Sequence, residues 1–162
     1  MAKQPETGQA APDFTLPGVT LVDGQAVRGD YSLSAARGTP LVLAFYPGDD
    51  TAVCTRQLCS YTAGLADFTE VGATVWGISP QDMDSHEAFA RKRDLGFPLL
   101  ADVGLAVSRE YGIGLGSGGL RRSVFIVDAA GLVRWKHVTL VGLTFPRAAV
   151  ITAKVAELAS AG

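Results

Sequence analysis

The chain has 162 residues, 48% hydrophobic and 19% charged, with 14 basic against 16 acidic side chains and a net charge of -2. That length fits one domain with a sizeable core, and the composition is that of a globular chain, not a disordered one. The charge balance excludes a general attraction to nucleic acid or to acidic lipid, and no apolar run reaches the roughly 18 residues that cross a bilayer.

The polar segment Met1–Ala11 lacks the apolar stretch of a signal peptide, so the chain reads as cytoplasmic. Residues 1–10 read as a loose arm on a single domain spanning 1–162. Ala11–Leu16 reads as a short extended lead-in, followed by turn-rich sequence. Pro40–Tyr46 is a continuous apolar run, the pattern of a central strand buried on both faces. Pro47-Gly48-Asp49-Asp50 breaks it. Thr51 is a good N-cap for a helix running to about Val71. Ala73–Ser79 is a second buried strand. Asp82 or Asp84 caps a helix that turns Ala88, Phe89 and Leu95 inward and leaves Arg91, Lys92 and Arg93 on a solvated face. Phe97–Leu100 suggests a short strand, Gly104–Tyr111 a short helix, and Gly114–Gly119 a flexible loop. Ser123–Asp128 and Leu132–Val138 read as adjacent strands turning at Ala129–Gly131, and Pro146 opens a last helix with Val150, Val155 and Leu158 apolar. Trp76 and Trp135 are read as core. Early strands alternating with helices, then a hairpin, argue for a three-layer α/β sandwich around a mixed sheet, the element order of a thioredoxin-like fold.

Two cysteines, Cys54 and Cys59, stand five residues apart. In a reducing compartment such a pair favours redox or catalytic work over a structural disulfide. With Thr51 as N-cap, Cys54 is the third helical residue, beside unpaired N–H groups and the positive end of the helix dipole, which lowers a thiol pKa. Position alone leaves open whether Cys54 reacts or merely fills the first turn. Full ionisation gains only roughly 30-fold at pH 7. A fast thiol reaction therefore needs donors that stabilise developing charge: the Thr51 hydroxyl, first-turn N–H groups and a cation. Along an intact helix the two Cα atoms lie roughly 8 to 9 Å apart, beyond the ~7 Å reach of a disulfide. Either the cysteines never pair, or the helix start unwinds when they do.

Pro47, Thr51 and Cys54 fit the pattern P-x-x-x-T-x-x-C, and the segment resembles the peroxiredoxin signature. The second cysteine five residues on resembles the Q subfamily, the bacterioferritin comigratory proteins. Ala11–Leu16, Ile78-Ser79-Pro80 with Ser85-His86 and Phe89, Phe97–Asp102 and Arg122–Asp128 are similar to later family signatures, in order. The resemblance implies an atypical 2-Cys, thiol-dependent peroxidase acting on hydrogen peroxide and organic hydroperoxides. Cys54 would be the peroxidatic cysteine and Cys59 the resolving one, closing a Cys54–Cys59 disulfide that thioredoxin or a similar small dithiol reduces. Thr51 would orient the peroxide and Pro47 shield the sulfur. Gln57, three after the nucleophile, is also familiar in the family. The family's arginine stands three residues before the strand phenylalanine, so Phe125 points to Arg122. Arg121 lies beside it, but neighbours on a strand face opposite ways. The family is read as a monomer here, with a dimer as the alternative. Ala52-Val53 departs from relatives that often carry proline or glycine there.

His86 and His137 lack ligand spacing, so no metal is expected, and His86 reads as a surface residue. The glycine-rich loop lacks the Lys-Ser/Thr ending of a phosphate loop, so no cofactor is expected. A thioredoxin-fold disulfide reductase uses C-x-x-C, and a copper-delivery relative uses C-x-x-x-C with a distant histidine. Four intervening residues fit neither. A non-enzymatic binding module has no need of Thr-x-x-Cys.

Overall fold

The computed structural model describes residues 3–116, 118–139 and 144–161. Its first feature is a hairpin. Strands β1 (Thr15–Val22) and β2 (Gln25–Ser32) pair antiparallel across Asp23-Gly24, whose φ angles are +52° and +78°. Two positive φ values in a two-residue turn match the right-handed twist of the flanking strands. This hairpin replaces the turn-rich stretch expected after Leu16: Pro17, Gly18 and Gly29 are poor strand formers, and Asp23-Gly24 is the local signal for the hairpin.

A 3₁₀ turn at Ser34–Ala36 leads to β3 (Leu41–Phe45), buried at every residue. Helix α1 (Ala52–Ala63) and helix α2 (Leu65–Glu70) replace the single helix expected to reach Val71. The break falls at Gly64, where an added Cβ would stand 3.1 Å from Ala148 Cβ. The remaining elements are β4 (Thr74–Ser79), α3 (Met83–Arg93), β5 (Leu99–Ala101), α4 (Ala106–Glu110), β6 (Ser123–Val127), β7 (Val133–Val138) and α5 (Ala148–Ala161). The strands form one mixed sheet in the order β2-β1-β5-β4-β3-β6-β7, with β3, β4 and β5 parallel and the other pairings antiparallel.

Alternation along β3 and β6 divides the core into two layers. Val42, Ala44, Val124 and Ile126 face a cluster completed by Leu58 and Tyr61 of α1, Phe68 of α2, Phe89 and Ala90 of α3 and Ile151 and Val155 of α5. Leu41, Leu43, Phe45, Phe125 and Val127 face a second cluster with Phe14, Leu33, Trp76, Val107 and Tyr111. The three-layer thioredoxin-like sandwich expected from the sequence is the observed fold.

The inward face of α3 differs from the expected one. Ala88 is exposed, and His86, Phe89 and Ala90 are buried. Asp82 caps this helix, its carboxylate accepting from the Ser85 N–H at 2.9 Å. In α5, Val150 is exposed while Ile151 and Val155 are buried. Trp76 is core; Trp135 is half-buried and stacks on His137. The arm is tied down over its last residues. Gly8 N–H donates to Val133 O at 2.7 Å, Val133 N–H to Gln9 O at 2.8 Å and Ala11 N–H to Gly131 O at 3.0 Å. The segment gives the outer edge of the sheet at β7 backbone partners that an edge strand otherwise lacks. No described helix is long and apolar enough to cross a membrane.

Candidate active site

The site is built where β3 ends and α1 begins. Pro47 is half-buried just past the strand, and the loop to Thr51 turns the chain into the helix. Thr51 holds the N-cap position in extended backbone (φ -83°, ψ 157°), and its carbonyl takes the first helical bond, from Thr55 N–H at 2.8 Å. Its side chain does not cap. Instead the hydroxyl donates back to Gly48 O at 2.9 Å. First-turn N–H groups have no intrahelical acceptor, so those before Cys54 stay available, and the Thr51 oxygen keeps lone pairs to accept a further proton.

Cys54 is fully buried on the inner face of α1. Arg122 lies at the start of β6, in phase with Val124 and Ile126, so its side chain enters the layer beneath α1. Its Nη2 donates to Cys54 Sγ at 3.2 Å and its Nη1 to Gln57 Oε1 at 2.6 Å. Arg122 is only 3% exposed, whereas Arg121 is exposed. Thr139 fixes the Arg122 backbone, its N–H and hydroxyl donating to Arg122 O at 3.0 and 2.8 Å. The polar chain continues outward. Gln57 Nε2 donates to the Tyr61 hydroxyl at 3.3 Å, and that hydroxyl donates to Pro146 O at 2.6 Å. Burial pushes the Tyr61 hydroxyl pKa well up, so it remains a donor. Cys59 is half-buried against the α1 core, and both cysteines are free thiols.

One residue read as surface proves otherwise. His86 is fully buried, with Nδ1 2.7 Å from Asp49 Oδ2 and Nε2 3.0 Å from Leu100 O. Counting helical phase from the Asp82 cap places His86 with Phe89 and Ala90 on the inward face, a signal the sequence contained. Among the described residues, no group of three or more histidine, cysteine or carboxylate side chains is placed to hold a metal ion. The assembled groups can do one kind of chemistry well: they present a sulfur nucleophile at a helix start, with a permanent cation and spare hydrogen-bonding groups around it.

Known proteins resemble this chain throughout. A profile described as the AhpC/TSA family matches residues 7–136. A chloroplastic peroxiredoxin Q of Populus jackii is 40% identical over 129 residues, 78% of this chain and 57% of that protein. A Coxiella burnetii protein of the peroxiredoxin type, bcp, is 33% identical over 146 residues, 85% of this chain and 92% of that one. The chain thus spans little more than half the length of the plant relatives it matches. In structure, the reduced 2-Cys peroxiredoxin of Plasmodium vivax superposes with a TM-score of 0.85 at 21% identity, covering 95% of this chain and 82% of that one. Mycobacterium bovis AhpC superposes with a TM-score of 0.86 at 20% identity, covering 98% and 95%.

Proposed function

This chain belongs to the AhpC/TSA family, in its peroxiredoxin Q branch, and from that premise we propose that it is a thiol peroxidase reducing hydroperoxides with Cys54. The observation that carries the reading is the Arg122 guanidinium donating to Cys54 Sγ at 3.2 Å inside a buried layer. In the proposed reaction the Cys54 thiolate attacks one peroxide oxygen and the O–O bond breaks. The second oxygen leaves with the bonding pair and takes up a proton, giving water or an alcohol. Sulfur is oxidised to sulfenic acid and the peroxide is reduced. Arg122, already against the sulfur, and the first-turn N–H groups stabilise the charge that spreads onto the oxygens. The Thr51 hydroxyl, pinned to Gly48 O, accepts a hydrogen bond from the peroxide hydroxyl and aims the O–O bond. Pro47 walls the approach.

Cys59 then attacks the sulfenic sulfur, the S–S bond forms and water leaves. A small dithiol of the thioredoxin kind exchanges with this disulfide and restores both thiols. We read the protein as cytoplasmic, since two thiols that must be re-reduced each cycle need a reducing compartment, and, from the resemblance alone, as a monomer with a dimer as the alternative. No cofactor enters this scheme. The test is peroxide consumption with a dithiol reductant. Wild type turns over, and Cys54→Ser does not; near-normal turnover by Cys54→Ser would refute the assignment.

A further inference from the structure

Beside the active-site loop lies a buried polar cluster that the peroxide chemistry does not use. The Leu100 carbonyl can only accept, so the His86 Nε2 facing it at 3.0 Å carries a proton. A second proton must then lie between Nδ1 and Asp49 Oδ2. Without it a bare ring nitrogen and a bare carboxylate would meet lone pair to lone pair at 2.7 Å, away from water. Imidazolium with carboxylate and imidazole with carboxylic acid are two descriptions of the same retained proton. Asp49 is otherwise saturated. Its Oδ1 accepts from the Tyr46 hydroxyl and its Oδ2 from the Ser85 hydroxyl, both at 2.7 Å, and its N–H donates to Gln81 Oε1 at 2.9 Å.

Asp49 belongs to the loop 47–51, which carries Pro47 and Thr51 and leads into the helix that holds Cys54. Its neighbour Asp50 has a φ of +57°, in the left-handed region that aspartate adopts more readily than most non-glycine residues. Lys92 Nζ at 2.6 Å and Arg93 Nη2 at 3.1 Å hold the Asp50 carboxylate. Helix α3 therefore grips the loop at two successive residues. The Asp50 pairs are exposed and weak. The buried grip decides, since a polar group stripped of its partner there has no water to turn to.

We propose that His86 and Asp49 form a buried proton-sharing clamp that positions the active-site loop and the start of α1. The proposal rests on the reading of Cys54 as the reacting thiol; neither clamp residue touches the peroxide, so both are positioning residues. The titratable group facing the clamp is Tyr46, at the end of β3, whose hydroxyl donates to Asp49 Oδ1. Strands β1 and β5 bring no titratable side chain. On α3, Asp84 and Glu87 are engaged at the surface by Arg28, and Lys92 and Arg93 by Asp50.

The discriminating variant is Asp49→Asn. Its amide N–H can donate to a neutral imidazole and its carbonyl oxygen can accept from Tyr46, so the clamp closes without a shared proton. Hydrogen exchange over residues 48–55 is followed in reduced protein at neutral pH. Protection should be kept in Asp49→Asn and fall about tenfold or more in Asp49→Ala and His86→Ala. The peroxide step should follow the same order, with Asp49→Ala slowed about 10²-fold and Asp49→Asn far less. At neutral pH, nitrogen and carbon NMR should find either a doubly protonated His86 ring or a protonated Asp49 carboxyl. A neutral ring beside an ionised carboxylate, or parent-like protection in Asp49→Ala and His86→Ala, overturns the clamp. Exchange and NMR need no turnover, so they stand or fall separately from the peroxidase reading.

Discussion

Arg122 reaches Cys54 because strand residues alternate. It is in phase with Val124 and Ile126, on the face that α1 covers, while Arg121 turns to the surface. One planar guanidinium engages two acceptors, Cys54 Sγ and Gln57 Oε1, a geometry that a lysine ammonium cannot reproduce. In single-turnover kinetics Arg122→Ala should slow the peroxide step by roughly 10²-fold or more, the scale for losing one transition-state donor, with Arg122→Lys in between. Arg121→Ala should leave that step nearly unchanged; the reverse ranking would contradict the assignment. The choice between the two arginines was legible from strand alternation together with the offset to Phe125. The relay through Gln57 and Tyr61 to Pro146 was not, because its last link joins residues 85 apart in sequence. No periodicity announces such a contact.

In the proposed cycle, helix α1 has to be stable enough to assemble the pocket and weak enough to let Cys59 reach Cys54. The cysteines stand on one regular helix, about 8 to 9 Å apart at Cα by helical geometry, so pairing needs local unwinding. The bond from Tyr61 to Pro146 anchors the helix beyond Cys59 and confines that unwinding to its first two turns. Within those turns Thr55 Oγ1 is buried without a hydrogen-bond partner. Such a group costs about 1 to 3 kcal/mol that water refunds on opening. Thr55→Val keeps the shape and removes the penalty, so it should stiffen α1. About 1 kcal/mol of added stability slows disulfide closure roughly fivefold. Rapid-quench trapping of the Cys54–Cys59 disulfide after one equivalent of peroxide reads that rate, and faster closure would contradict the account. Cys59→Ala should reduce one equivalent and then stall as the sulfenic acid, open to overoxidation by further peroxide; mass spectrometry shows both products.

Across the whole molecule, the elements with strong local signals were legible: the apolar runs of β3 and β4, the capped α3 and the β6–β7 turn. What escaped depends on distant partners. The β1–β2 hairpin is interrupted by the poor strand formers Pro17, Gly18 and Gly29 and paired with β5, and the α1–α2 break falls where Ala148 closely approaches Gly64. The β6–β7 turn also sets an acid limit on the fold. Burial works against the Asp128 carboxylate, but the Leu132 N–H, the Arg134 guanidinium and the Ala130 N–H outweigh it and hold its pKa below the usual range. A depressed carboxylate stabilises the fold above its unfolded pKa, and that contribution is lost as pH falls through the folded value. Asp128→Asn should therefore be less stable than wild type near neutrality, with the gap closing below about pH 4 in denaturant titrations. The central claim is that Cys54 takes oxygen from a peroxide and passes its oxidation to Cys59. Intact mass and peptide mapping of reduced protein after one equivalent of hydrogen peroxide test it most directly. The account predicts loss of both thiols and a Cys54–Cys59 linkage in the wild type, with Cys54→Ser left fully reduced. Two thiols surviving in the wild type, or oxidation of Cys54→Ser at the same rate, would contradict it.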